Sequence, residues 1–386
     1  MKVAFEAQLF LKGNKTGIAW CADNLIRELA KDRQIEWQCD YFMLGYGQEE
    51  EDKVRVYEKY GVKMQACRWF HNVLYKLLWC VFPIPYHLFF RDKRDITQFF
   101  NFIIPPGVKG KTVTIVHDMA YLSHPDTVAD RTRKWLLWNM EKSCKRADKI
   151  VTVSEFSKRE IIKYLNIKEE KIVVMPNGVN GDFFYLRQKE EIEQVKDRFQ
   201  IKREYFLYLG TLEPRKNIER LLEAYARLRE EREENIPFLV LAGQKGWLYD
   251  SIFQLVEKLG LKEQVLFTGY IKQEDVPALL SGATAFIFPS LYEGFGMPPL
   301  EAMACGTAVI ASKTSSLPEV IGEAGILINP YSVEEIKEAM KKVWKEKDFA
   351  DRLRKAGRER AKEYTWEKSA EILKEVYLEL GGGLKE

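Results

Sequence analysis

The chain has 386 residues, 46% of them hydrophobic and 30% charged, and its 60 Lys+Arg against 57 Asp+Glu give a formal charge of +3. A length near 400 suggests two domains of about 100–200 residues each, with cores that need no disulfide or metal staple. The composition excludes a disordered or collagen-like chain, and the charge balance excludes reading the whole chain as a nucleic-acid binder.

The opening residues MKVAFEAQLF lack the long apolar run and small-residue cleavage site of a secretory leader, and residues 3–5 read as a first strand. Next comes Gly13-Asn-Lys-Thr-Gly17, a small-residue loop leading into a helix-period segment, 18–30. It is neither a P-loop nor G-x-G-x-x-G, and taken alone it reads as a plain turn before it reads as a phosphate loop. Residues 69–90 are unusually aromatic and are candidates for lining an acceptor. The apolar part, 77–90, holds Pro83 and Pro85 and cannot span a membrane. A strand over 112–116 ends in His117-Asp118. A lone histidine is more often structural, yet this one stands at the carboxyl end of a strand, where open α/β sheets bind ligands. Segment 131–149 has seven Lys/Arg and two Asp/Glu, with Trp135, Leu136 and Trp138 interleaved. Its plain reading is a helix with Leu137, Met140, Cys144 and Ala147 in the core. Its sharper reading is contact with an anionic membrane surface. Strands over 149–153 and 172–175 are followed by Ser154 and Asn177, caps or turn residues first and ligand contacts second.

The charged stretch 186–202 reads as the connection between two βαβ halves. Strands over 205–209, 238–241, 265–268, 285–288 and 308–311 then alternate with helix-period segments. Several are continuous apolar runs, as expected of parallel strands covered on both faces. The longest uncharged run, 276–292, contains Pro277, Gly282 and Pro289 and is not a membrane span. Directly after 205–209 come Gly210-Thr-Leu-Glu-Pro214-Arg215-Lys216-Asn217. Two adjacent cations at a helix N-terminus make a diphosphate cradle that needs no metal. The helix over 217–230 is apolar at 218, 221, 222, 225 and 228. After 285–288 comes Glu293-Gly294-Phe295-Gly296-Met-Pro-Pro-Leu-Glu301. Gly294 and Gly296 admit a close backbone approach, and Pro298 and Pro299 suit the start of a helix. Glu293 in the loop and Glu301 in the first helical turn are carboxylates suited to vicinal hydroxyls; two such Glu alone would read as solvated caps, but the whole string is far more specific. Ser332 stands three residues before Glu335, a capping-box pattern for a helix over 332–345. The six cysteines form no C-x-x-C pair and read as reduced, mostly buried thiols. No D-x-D and no G-x-S-x-G occurs, so neither a metal-bound nucleotide of that kind nor an α/β-hydrolase nucleophile is supported.

Together these motifs resemble those of the retaining glycosyltransferases of family 4. Glu293 to Gly306 resembles the E-x₇-E signature and 214–217 the diphosphate-binding pair. Gly17 is similar to the N-terminal glycine loop, His117 to the strand-end histidine, and Ser315-Ser-Leu317-Pro-Glu-Val320 to the segment that lines the nucleoside pocket. Asn180 departs from the Asp the family often has there. The resemblance implies an α/β fold of two Rossmann-like domains facing a central cleft (GT-B). An acceptor domain would span 1–187 and a donor domain 188–365, with a C-terminal helix, 366–383, crossing back to the first. It implies metal-independent transfer of a hexose, with retention, from a nucleoside-diphosphate sugar to a glycan or lipid-linked saccharide. Glu293 and His117 would act at the reacting centre. Gly17, Gly210, Arg215, Lys216, Gly294, Phe295, Gly296, Glu301 and Leu317 would bind the donor, with Glu301 on the ribose. Residues 242–247 and 317–319 are closest to the mannosyltransferase-like branch, which puts GDP-mannose first as donor and a UDP-sugar second. No further cofactor, no metal and no nucleic acid is implied. A non-hydrolysing sugar-nucleotide epimerase and a catalytically idle nucleotide-sugar binding subunit are the alternatives. The expected location is the cytoplasm, with peripheral contact at the inner face of the membrane.

Overall fold

Two parallel sheets organise the chain. The computed structural model describes residues 1–382 except 12, 14, 80, 232, 245 and 247–249. A first unit comprises Met1–Leu122, Asp130–Gly178 and the chain from Trp366 on; a second comprises Ser123–Ala129 and Val179–Thr365. The changeover at Gly178/Val179 falls before the expected 187/188. Val179 N–H already donates to Tyr364 O, and Arg187 N–H to Ser281 Oγ, so the residues between belong with the second unit.

The first sheet holds β1 (Lys2–Glu6), β2 (Glu36–Phe42), β3 (Lys63–Cys67), β4 (Ile96–Phe99), β5 (Lys111–Val116), β6 (Lys149–Thr152) and β7 (Ile172–Val174), in the order β3-β2-β1-β4-β5-β6-β7. Helices α1 (Gly17–Leu29), α2 (Asn72–Trp79) and α3 (Asp130–Arg146) belong to this unit. The N-terminus of α1 is capped by Thr16, whose Oγ1 accepts from Ala19 N–H at 3.4 Å, and its apolar stripe Ala22, Leu25, Ile26 and Leu29 is buried at helical spacing.

The second sheet holds β8 (Tyr205–Leu209), β9 (Phe238–Ala242), β10 (Val265–Gly269), β11 (Ala285–Phe288), β12 (Val309–Ser312) and β13 (Ile326–Ile328), in the order β10-β9-β8-β11-β12-β13. Its helices include α4 (Ile218–Glu230), α5 (Met297–Ala304) and α6 (Val333–Lys345). The last helix, α7 (Trp366–Gly381), packs in the first unit, where Tyr377 OH donates to Gln98 Oε1 at 3.0 Å. In each sheet the strand order reverses between two neighbours, β1 and β4 in the first and β8 and β11 in the second. Ligands of open α/β sheets bind outside the carboxyl ends at such a switch point.

Four strands, β2, β3, β4 and β13, escape the apolar-run reading. The reason is visible in β2: Asp40 is buried in mid-strand, ion-paired with the buried Arg94 and accepting from Tyr86 OH at 3.1 Å. Burial pushes its carboxyl up despite those partners. Several expectations need correction. The stretch 186–202 is not a bare connection but contains a helix, Lys189–Arg198. Leu137 is 47% exposed rather than in the core, because the buried face of α3 runs through Asn139, Met140, Ser143 and Cys144. Ser332 caps α6 through Glu335 N–H, but the Glu335 carboxylate accepts from Asn329 N–H instead of closing the box. Asn177 is no cap through its side-chain oxygen, which is buried without a hydrogen-bond partner. Ser154 is the N-cap of the Glu155–Leu165 helix. The five described cysteines are buried and form no disulfide with one another, and Cys80 lies outside the described residues.

Candidate active site

The β8/β11 switch point brings most of the expected donor residues together. A short turn, Pro214–Lys216, follows β8 and leads into α4 through Asn217. Asn217 has φ 60° and donates from Nδ2 to Pro289 O and Pro330 O, which ties this turn to the end of β11. The tie holds two cations against one carboxylate. Lys216 Nζ lies 2.6 Å from Glu293 Oε1, and Arg215 Nη1 lies 3.2 Å from Glu293 Oε2 and 2.9 Å from Tyr292 O. Arg215 also pairs with Glu213 at 3.0 Å. Lys216 and Glu293 are 9% and 8% exposed. Burial alone would raise the Glu293 carboxyl, but Lys216 and Arg215 outweigh it and hold the group below the usual range. Burial, helped by Arg215 and opposed by Glu293, pulls Lys216 below the ordinary lysine value.

The loop above this pair is held from the next strand. Ser316 Oγ donates to Phe295 O at 2.8 Å or Glu293 O at 3.0 Å, and Glu293 N–H donates to Ser315 Oγ at 3.0 Å. Phe295 is buried, its ring edge-on to Tyr364 at 5.7 Å. Among the described residues, no group accepts from the Phe295 or Gly296 N–H. Gly296 has φ +117°, and a Cβ there would lie 2.7 Å from Leu317 Cδ2, so the sequence must place glycine where this loop meets α5. A Cβ on Gly210 would lie 2.8 Å from the Tyr208 hydroxyl, and one on Gly243 would lie 1.9 Å from the Gly210 carbonyl oxygen, so the two glycines pack backbone to backbone.

Glu301 lies in the second turn of α5, not the first. Its carboxyl has no hydrogen-bond or ion-pair partner among the described residues, and burial pushes it up to about 8. His124, which sequence reasoning passed over, lies against Tyr292 with ring centroids 4.9 Å apart and planes tilted by 43°, and burial and Arg215 lower its basicity. It stands in an irregular segment with no periodic signal to mark it. Ser315 and Ser316 were expected only as backbone lining; their hydroxyls hold the loop.

Two expected residues lie in the first unit. His117 follows β5, and its Nε2 is 2.8 Å from Phe100 O. Burial keeps the ring neutral, so Nε2 carries the proton and Nδ1 is the acceptor. Gly17 is the first residue of α1, where a Cβ would meet nothing within 4 Å. A cavity of about 460 Å³ opens at the β1/β4 switch point, lined by Gln8, Asn72, Tyr75, Trp79, Asn101 and Trp135 among others. Tyr75 OH is buried there without a partner, and the Trp79 and Trp135 rings are 5.6 Å apart. Of 242–247, Lys245 and Trp247 lie outside the described residues. The described residues contain no cluster fit to hold a metal, and no described helix is long and apolar enough to cross a membrane.

A family model described as "Glycosyl transferases group 1" matches residues 189–360, and one described as "Glycosyltransferase Family 4" matches 15–183. The O-antigen chain mannosyltransferase B of Escherichia coli is 36% identical over 72% of this chain and 72% of its own length. The serotype-specific mannosyltransferase WbdA of Escherichia coli is 33% identical over 71% of this chain, which spans only 34% of that protein. Anabaena Alr3699/HepE, solved with UDP and glucose, superposes with a TM-score of 0.75 at 17% identity, covering 97% of this chain and 99% of that one.

Proposed function

The chain belongs to the family 4 glycosyltransferases, with their GT-B fold class, and on that premise we propose that it transfers mannose from GDP-mannose to a saccharide, free or lipid-linked. The observation that carries the site is the buried Lys216–Glu293 pair, with half-buried Arg215 beside it, at a sheet switch point under a loop with two uncommitted amides. The choice of mannose is supported by the mannosyltransferase relatives; a UDP-sugar is the second donor, and UDP is bound by HepE.

In this reading Arg215 and Lys216 stabilise the charge that grows on the departing diphosphate, and a cluster of fixed donors there needs no metal. The open backbone at Gly17, at the start of α1 in the first unit, suits an anion. Glu301 accepts from the ribose hydroxyls, with Gly210 and Leu317 beside the nucleoside. Glu293 and the amides of Phe295 and Gly296, with Gly294 between them, orient the sugar. The bond from C1 to the phosphate oxygen breaks, the acceptor oxygen bonds to C1 on the same face, and its proton passes to the departing phosphate. His117 accepts a sugar hydroxyl through Nδ1. The cavity of the first unit takes the acceptor, its Trp79 and Trp135 faces suiting sugar rings.

The named relatives are transferases, which disfavours the epimerase, and the intact Lys216–Glu293 pair disfavours an idle subunit. A thermal-shift screen against GDP-, UDP- and ADP-sugars tests the donor, since a true donor at about 100 times its Kd stabilises by about 2.7 kcal/mol. Stabilisation by a UDP-sugar and none by GDP-mannose would overturn the mannosyl reading.

A further inference from the structure

From Arg68 to Arg91 the sequence contains no Asp or Glu. Inside that stretch Val73, Leu74 and Leu77 of α2 are 49%, 45% and 64% exposed, and Val81 and Phe82 just beyond it are 73% and 67% exposed. Helical spacing explains the split: Asn72 and Tyr75 turn inward, and Val73, Leu74 and Leu77 form the opposite face. A run of five such side chains is more than the scattered apolar residues of an ordinary surface.

The apolar face adjoins a basic one. Trp79 meets Trp135 of α3, and one turn along α3 the exposed Trp138 lies under Lys142 Nζ at 4.6 Å. Helix α3 has six Lys/Arg and two Asp/Glu, and one of the two, Glu141, is paired with Lys145. Apolar side chains without neighbouring carboxylates, flanked by cations, fit the boundary between anionic headgroups and acyl chains. A second protein surface would have to supply matching carboxylates.

We propose that Val73, Leu74, Leu77, Val81 and Phe82 insert into the headgroup boundary of an anionic lipid bilayer, with the α3 cations holding the headgroups. The apolar anchor is thus α2 and the turn after it, not the 131–149 segment that the sequence suggested. The proposal rests on the transferase reading for its purpose. Helix α2 also walls the first unit's cavity through Tyr75 and Trp79, so a saccharide carried on a lipid would enter beside its own anchor.

The test is co-sedimentation of the full chain with vesicles of phosphatidylcholine alone or mixed with phosphatidylglycerol. The wild type is expected to pellet with the mixed vesicles at low salt and to be released by high salt. Val81→Asp/Phe82→Asp should cut that partition by more than about tenfold, with an unchanged melting temperature and unchanged transfer to a water-soluble acceptor. Lys134→Glu/Lys142→Glu should cut it by about fivefold or more for each charge removed. Three results overturn the proposal: no partition to the mixed vesicles, equal partition of the Val81/Phe82 variant, or a wild-type dimer that this variant splits. A chain that binds vesicles yet transfers no sugar leaves the anchor standing and fells the transferase reading; transfer without vesicle binding does the reverse.

Discussion

Glu301 should release a proton when the donor binds. Its carboxyl, half-buried and without a partner among the described residues, is pushed up to about 8 by the loss of hydration. At pH 7 such a group is protonated in about nine molecules of ten. Two ribose hydroxyls donating to it would favour the ionised form and return it toward the ordinary value of about 4.3. Donor binding at pH 7 should then release about 0.9 proton, and at pH 9 only about 0.1. Affinity should rise close to tenfold per unit between about pH 6 and 7 and level off above 8. The assay is titration calorimetry with an intact nucleotide sugar, whose phosphates do not titrate in this range, in buffers of different ionisation enthalpy. Glu301→Gln keeps an acceptor oxygen but has no proton to lose, so its binding should be weaker and independent of buffer. The same shift has a consequence for stability. A carboxyl raised above its unfolded value contributes stability at low pH that is lost as pH rises through the folded value. The ligand-free protein should therefore melt lower as pH climbs from about 5 to 8 and level off above that, and Glu301→Gln should lack that slope. A wild-type heat of binding that is the same in every buffer at pH 7 would refute the ribose assignment.

Lys216→Met and Glu293→Ala should each lower turnover by about a hundredfold or more, the scale of losing one fixed donor at a developing charge. Glu293→Ala should also lower the melting temperature, since it leaves buried Lys216 beside Arg215 without a counter-charge, at a cost of about 3–5 kcal/mol. Wild-type rates in both variants would remove the proposed site. Gly296→Ala should cost about 1–3 kcal/mol of backbone strain and weaken donor binding. Adding Leu317→Ala relieves the contact at 2.7 Å but not the φ of +117°, so it should restore only part of the affinity in a thermal-shift titration.

What the sequence made legible follows from where polar groups sit. Strands such as β8 and β11 are continuous apolar runs because helices cover both faces, and a run of that kind can be read directly. β2 and β4 were hidden because Asp40, Thr97 and Gln98 are buried in them, Asp40 and Gln98 bonded to partners distant in sequence, Arg94 and Tyr377 among them. No local pattern marks a charge whose partner lies 54 residues away. The donor residues were legible for the opposite reason. Strand ends, glycines and a cation pair are local features, and the switch point gathers them. The hydroxyls of Ser315 and Ser316 were not, because their work is to hold a loop that precedes them by about one strand and one helix. The exposed face of α2 was half-legible: the aromatic excess was plain, but which side faces water depends on the cavity that takes Tyr75.

The mutual contacts of Lys216, Arg215 and Glu293 also bear on how a dianionic leaving group could be received. Two adjacent cations, one buried and one half-buried, would without a counter-charge repel each other and lose hydration, so an empty cradle made of them alone would be unstable. Glu293 removes that cost while the site is empty. Lys216 has three N–H donors, and its recorded hydrogen bond, to Glu293, uses one of them. It can therefore meet phosphate oxygens without releasing Glu293, and the carboxylate stays where the sugar would lie. On this account Glu293→Gln separates two roles that Glu293→Ala merges. The amide keeps the shape and can still accept from Lys216, so stability should recover in large part. If turnover also recovers, Glu293 serves only to hold the cations; if turnover stays low while the melting temperature returns, its charge acts at the sugar.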